Sequence, residues 1–274
     1  MTNAVRSGPE TAEELVAVAE RKGRMGIRPM LFLAMLAGIY IGFGAIAATT
    51  VLANADGLPQ AIARWLAASV FCIGLVLVVL PGSELFTGNV LMVAGLPARR
   101  VPLGRLLRSW GFVYVGNFIG SVLLALALYE SGLMGTPKDQ TALGQRAAAI
   151  ADMRIAIPLV EAFVRGILCN MLVCLAVIIA LSARDASGKI LGIYFPIMVF
   201  VLCGFEHSIA NMYFLSAGLL AKGTFLSREF WTIFHNLIPV TLGNIVGGLI
   251  VILLHPAQLG RFFRPAKGGP DAAE

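Results

Sequence analysis

Two short blocks place carboxylates and amides inside sequence apolar enough for a lipid bilayer. Gly82-Ser83-Glu84-Leu85-Phe86-Thr87-Gly88-Asn89 and Gly204-Phe205-Glu206-His207-Ser208-Ile209-Ala210-Asn211 both read Gly-x-Glu-x-x-x-small-Asn. Such groups are expensive in hydrocarbon and mark functional positions. A matched pair of glycine-broken polar segments in the two halves of a membrane chain points to a transport site at their interface. His207 is the only histidine deep in an apolar run. An unperturbed imidazole titrates near about pH 6.5, so it can give a hydrogen bond or a proton at neutral pH. By the alignment of the two blocks it faces Leu85-Phe86-Thr87. A hydroxyl and an imidazole across a gap can hold one small anion, or the neutral acid formed by protonating it. Helix amino termini beyond each break add positive dipole ends aimed at the same point. The alternative is that His207 only hydrogen-bonds within the fold.

Other polar residues read as support. Repetition of Glu84 and Glu206 suggests that each caps backbone N–H groups of its own loop, because unpaired amides in lipid are costly. Asn89, Asn117, Asn170, Asn211 and Asn244 read the same way, with Asn170 and Asn244 also candidates to face a pore. Arg154 is either an anion-attracting charge at an outer entrance or a snorkelling anchor. Glu161 and Arg165, spaced i, i+4, pair most simply with each other. No phosphate-binding loop and no metal-spaced cluster is present; the three histidines, His207, His235 and His255, are far apart. Catalytic residues, a metal site and a cofactor are therefore not expected.

The elements that must carry these residues follow from composition. Of 274 residues, 58% are hydrophobic and only 13% charged, with mean hydropathy +0.84; a soluble domain carries roughly 25% charged residues. A spanning helix needs about 20 apolar residues, and six stretches qualify: 29–53, 61–96, 107–130, 155–182, 190–221 and 232–255. The second and fifth hold the polar blocks. Pro81-Gly82 and Cys203-Gly204 should interrupt them, giving half-helix, loop, half-helix. Gly116-Asn117 in the third stretch is echoed by Gly243-Asn244 in the sixth, so the repeat reaches beyond the blocks. The expected fold is an all-α membrane protein of two three-helix repeats, inverted because three spans is an odd number.

Basic residues set orientation. Arg6, Arg21, Lys22, Arg24, Arg28, Arg99, Arg100, Arg105, Arg108, Arg184, Lys189, Arg261, Arg264 and Lys267 fall on one side, fourteen in all. Six, namely Arg64, Lys138, Arg146, Arg154, Lys222 and Arg228, fall on the other. Both termini are expected in the cytoplasm, in the cell inner membrane. This spread over short loops argues against a nucleic-acid patch despite an isoelectric point near 9.4. The polar start of the chain gives no cleavable signal peptide. Cys72, Cys169, Cys174 and Cys203 match no zinc or redox spacing and read as packing residues. Residues 1–28 form a cytoplasmic segment, in which 10–24 is either an amphipathic surface helix with Leu15, Val16, Val18 and Ala19 on its apolar side or an unfixed tail. Residues 29–256 are the spanning domain, and 257–274 a disordered cytoplasmic tail.

Four motifs in order resemble the signatures of the formate/nitrite transporter family. They are Glu84-Leu85-Phe86-Thr87-Gly88-Asn89, Asn170-Met171-Leu172-Val173-Cys174-Leu175-Ala176-Val177, Gly204 to Met212, and Asn236-Leu237-Ile238-Pro239-Val240-Thr241-Leu242-Gly243-Asn244. The resemblance covers residues 10 to 256. It implies an aquaporin-like protomer, a homopentamer with one pore per protomer, and passage of small monovalent anions, protons being a second candidate passenger. It implies that Thr87 and His207 form the central polar pair and that Asn170 and Asn244 are pore asparagines. Phe71, Leu75 and Phe200 would form one hydrophobic constriction, with Leu85 shaping the other. Arg154 stands where relatives carry lysine, which keeps the charge but disfavours proton donation. Formate is the expected passenger. Arg165 to Asn170 and the Thr-Gly-Asn ending resemble the nitrite branch, so nitrite, and with it hydrosulfide, is the alternative. A neutral-solute channel of aquaporin-like build is the alternative of a different class.

Overall fold

The computed structural model describes residues 4–254. The expected tail 257–274, and with it His255, Arg261, Arg264 and Lys267, lies outside the described residues.

Helix α1 (Gly8–Arg24) starts on a capping box: the Ser7 side chain accepts from the Glu10 N–H, and the Glu10 carboxylate accepts from the Ser7 N–H. That backbone bond holds Glu10 below the ordinary carboxylate range. Arg21, Lys22 and Arg24 fill its last turn, where the dipole favours cations. The chain continues through α2 (Ile27–Ala53), α3 (Gln60–Phe71), α4 (Ile73–Val79), α5 (Phe86–Asn89) with a 3-10 extension over Val90–Gly95, and α6 (Leu103–Glu130). A short hairpin, β1 (Gly135–Thr136) against β2 (Asp139–Gln140), leads into α7 (Ala142–Ile155). Then come α8 (Leu159–Ser182), α9 (Ala186–Leu202), α10 (Ser208–Lys222), a 3-10 turn (Arg228–Thr232) and α11 (Ile233–Leu254).

Among the described residues, five helical stretches are long and apolar enough to cross a membrane: Ile27–Ala53, Gln60–Val79, Leu103–Glu130, Leu159–Ser182 and Arg228–Leu254. The stretch 190–221 divides into α9 and α10. Every residue of α10 from Ser208 to Ala221 is buried, so this helix lies inside the protein rather than on its apolar surface. It packs against α6 and α7, while α2 lies along α6 and α8 along α11.

Both polar blocks break their helices as glycine geometry demands. Gly82 has φ +87° and Gly204 φ +73°, a region that costs L-residues heavily. A Cβ at either position would meet nothing within 4 Å, so the requirement there is conformational and not steric. Steric need appears elsewhere. A Cβ on Gly120 would lie 2.0 Å from the Met35 carbonyl oxygen, and one on Gly247 2.2 Å from that of Ile167. These positions let α6 and α11 touch the backbones of α2 and α8.

One element, α7, was not expected. The same sequence offset that separates Met35 from Ile167 separates Lys22 from Arg154, so α7 is the counterpart of α1. The amphipathic face of α1 also differs from the expectation of a helix on the membrane surface. Thr11, Leu15, Ala19 and Gly23 are buried against the chain itself, notably against the Val90–Gly95 turn, α6 and α8. Residues ahead of it are held too: Val5 bridges Ala183, Arg6 N–H donates to Ser182 O at 2.8 Å, and Arg184 N–H to Ala4 O at 3.1 Å.

Candidate functional site

Each break is tied to its neighbours by one asparagine. Asn117 Oδ1 accepts from Phe86 N–H at 2.9 Å, while its Nδ2 donates to Ala34 O at 2.7 Å and Glu84 O at 2.9 Å. In the other half Asn244 Oδ1 accepts from Ser208 N–H at 2.9 Å, and its Nδ2 donates to Gly166 O at 2.8 Å and Glu206 O at 3.0 Å. These amides satisfy the backbone that the breaks strand in a dry interior.

The glutamates do something else, which corrects the expectation that they cap backbone N–H groups. Glu84 Oε2 accepts from Asn89 Nδ2 at 2.7 Å and from Lys22 Nζ at 3.0 Å, and Lys22 also reaches Asn89 Oδ1 at 2.7 Å. Glu206 Oε2 accepts from Asn211 Nδ2 at 2.7 Å, and Glu206 Oε1 from Arg154 Nη1 at 2.6 Å; the same nitrogen reaches Asn211 Oδ1 at 2.8 Å. A cation from α1 or α7 thus closes each Glu–Asn pair. The glutamates are only 4% and 5% exposed in their side chains, so an unpaired charge there would cost several kcal/mol, and the basic partner removes that cost. Asn236 adds a donor to Glu206 at 3.3 Å and accepts from Asn211 at 2.7 Å.

Arg154 lines a cavity and also makes contacts that neither expectation included. Its guanidinium is spent on Glu206 and Asn211 and lies 4.5 Å above the Phe214 ring. Replacing Arg154 by Gln is expected to lower flux and melting temperature at every ionic strength, because the lost contact is shorter than any screening length. Arg154→Lys should retain most of both. Flux measured from about 10 mM to 1 M salt checks this, and a defect confined to low salt would restore the long-range role. Glu161 and Arg165 do pair, at 2.9 Å.

Between the breaks lies the polar pair. His207 caps α10: its Nδ1 accepts from Ala210 N–H at 3.1 Å. A nitrogen that accepts carries no proton, so the neutral ring holds its proton on Nε2. That atom is 2.9 Å from Thr87 Oγ1. With Nε2–H donating, the Thr87 hydroxyl keeps its own proton free to donate. Both residues are buried. Asn170 steadies Thr87 by donating from Nδ2 to its carbonyl at 3.3 Å and to Asn244 O at 2.6 Å. The buried Asn170 Oδ1 has no partner among the described residues and is an acceptor left over. Asn244, by contrast, has both polar atoms engaged with backbone and none left to face a pore.

Cavities approach this pair from both sides. One, of about 520 Å³, reaches Phe71, Phe200 and His207, and is walled by Arg64, Arg146, Arg154 and Arg165. The other, of about 300 Å³, reaches Leu75, Leu85, Glu84 and Asn89 beneath Leu15, Val18 and Lys22 of α1. Phe71 and Phe200 meet edge to face with centroids 5.7 Å apart, and Phe200 stacks on His207 at 5.9 Å. Leu75 was expected beside Phe71 and Phe200; the structure puts it with Leu85 on the opposite wall, since one turn of helix carries it past the polar pair. Cys203 likewise differs from its expected packing role: it is exposed, whereas Cys72, Cys169 and Cys174 are buried.

The site roles of Lys22 and Asn236, and the whole of α7, escaped the sequence reading. A signal existed for Lys22 in its constant offset from Arg154, but the flanking residues of α1 and α7 share too little else to expose it.

A family model described as formate/nitrite transporter matches residues 9–257. A "Probable formate transporter" of Methanothermobacter thermautotrophicus is 39% identical over 267 residues, covering 92% of this chain and 96% of that protein. The "Formate channel FocA" of Escherichia coli (strain K12) is 35% identical over 238 residues, 81% of this chain and 82% of that one. Among solved structures, an "FNT family ion channel" superposes with TM-score 0.78 at 30% identity, covering 93% of this chain and 98% of the other. A "Pentameric formate channel with formate bound" gives 0.71 at 34% identity, with 86% and 96% covered.

Proposed function

The chain belongs to the formate/nitrite transporter family, and we propose that it is a channel of the cell inner membrane for a small monovalent anion, formate first. It works as a homopentamer with a pore in each protomer. Both termini face the cytoplasm, residues 29–256 form the spanning domain, and the two halves run in opposite directions through the bilayer. The observation that carries this reading is the buried Thr87–His207 bond at 2.9 Å, placed between two cavities that each end in a pair of apolar side chains.

An anion enters the larger cavity, where Arg64 and Arg146 raise its local concentration, and sheds water against Phe71 and Phe200. At the centre Nε2–H of His207 and the hydroxyl of Thr87 turn from each other to the anion. Two donors replace lost hydration without a fixed charge that would trap the ion. The imidazole can also take a proton from cavity water at Nδ1, releasing the Ala210 N–H. It then gives its Nε2 proton to the anion, so that the ring returns to neutral and the passenger leaves as the neutral acid. Leu75 and Leu85 are the second dry step.

Purified protein in liposomes should pass formate down its gradient, with nitrite and hydrosulfide competing, and with rates that change with pH. Flux of water or glycerol with none of formate would sink the reading in favour of a neutral-solute channel. Leu75→Ala should raise formate flux a few-fold and admit acetate, because about three heavy atoms leave the narrowing on the Leu85 side. An unchanged acetate-to-formate ratio would locate the second narrowing elsewhere.

A further inference from the structure

Phe71 and Phe200 stand on different helices, and an edge-to-face ring pair is worth only about 0.5–1.5 kcal/mol beyond its buried area. Rings alone leave the α3–α9 distance soft. Two polar ties cross between the same helices close by. Ser69 Oγ hydrogen-bonds Tyr194 Oη, and the Cys72 thiol donates to Tyr194 O at 3.3 Å while also touching Ala68 O at 3.3 Å. The attachments lie on either side of Phe71 in the chain, at the joint where α3 ends and α4 begins. Neither Ser69 nor Tyr194 borders either cavity, so neither touches a passing anion.

We propose that Ser69 and Tyr194 are positioning residues that set the width of the Phe71–Phe200 aperture, and with it the largest anion that passes. The inference rests on the pore reading above. A hydroxyl–hydroxyl bond holds its oxygens about 2.7–2.8 Å apart. That bond spans the two helices, so removing either hydroxyl leaves their separation at that level unfixed, and the ring pair two residues from Ser69 is free to open. Phe200 also stacks on His207, so the same movement loosens the face of the imidazole.

Tyr194→Phe and Ser69→Ala are each expected to raise the acetate-to-formate permeability ratio in liposomes at least threefold, with formate flux itself changed less than twofold. Ser69→Thr keeps the hydroxyl and should keep the parent ratio. Because the two residues act through one bond, the double variant should rise no further than either single one. A packing role alone would lower the melting temperature and leave the ratio where it was. A conducting parent whose variants keep its ratio, or a double variant whose effect is the product of the singles, overturns the brace. A parent that passes no anion in the same assay instead overturns the pore reading, so the two failures are distinct.

Discussion

Replacing His207 with phenylalanine is expected to cut formate flux by one to two orders of magnitude and to leave what remains independent of pH. On the proposed pore reading the ring supplies the central donor to an ion that has just lost water. A hydrogen bond to a charged group contributes about 1.5–3 kcal/mol, which is roughly ten- to a hundredfold in rate. Thr87 also meets the Cys174 thiol, 3.8 Å from its carbonyl, but a thiol ordinarily titrates at about pH 8.5, so pH dependence over about pH 5–8 should vanish with the imidazole. Phenylalanine also removes the acceptor for Ala210 N–H and uncaps α10. His207→Asn separates the two losses, because asparagine is a strong N-cap and should hold the melting temperature near that of the parent while still abolishing pH dependence. Parent-like pH profiles in both variants would return His207 to a purely structural role.

A second large effect is expected at the asparagines that anchor the breaks. Asn117→Leu strands Phe86 N–H and Glu84 O at once, and Asn244→Leu strands Ser208 N–H and Glu206 O. Each orphaned buried group costs about 1–3 kcal/mol, and the whole fold of a typical protein is stable by only about 5–15 kcal/mol. Both variants should therefore be recovered from membranes in greatly reduced amount, or melt far below the parent in detergent. The paired prediction is the sharper one: equal positions in the repeat should fail alike. Normal yield of one variant beside collapse of the other would show that the halves do not share their support.

Much of this architecture is legible in the chain because membrane solvation punishes polar atoms and so makes them conspicuous. Glu84, Asn89, Glu206, His207 and Asn211 stand out against their apolar surroundings, and Pro81-Gly82 and Cys203-Gly204 announce the breaks through backbone rules that act locally. What the glutamates pair with is not legible in that way. Lys22 lies 62 residues from Glu84, and Arg154 lies 52 from Glu206. Electrostatic partners at that distance leave no periodicity, and both bases also count among the loop charges that set topology. Helix α7 went unread for a related reason. Its alanine-rich sequence carries Gln145, Arg146, Asp152 and Arg154 and is too polar for a span, yet it becomes helical by packing on α10. Leu75 was grouped by resemblance, and only the pitch of α4 assigns it to its wall.

The total burial of α10 bears on how the protein is made. A segment with no outward face cannot be handed to lipid and left to wait, since its polar start would have no partners there. Its supports arrive on both sides in time: α6 and α7 are synthesised before it, but Asn236 and Asn244, which hold Asn211 and the Ser208 N–H, emerge after it. The nascent chain must therefore shelter α10 in an unfinished interior until α11 is complete. A ribosome stalled before residue 244 would carry a protein whose second break is still open to water.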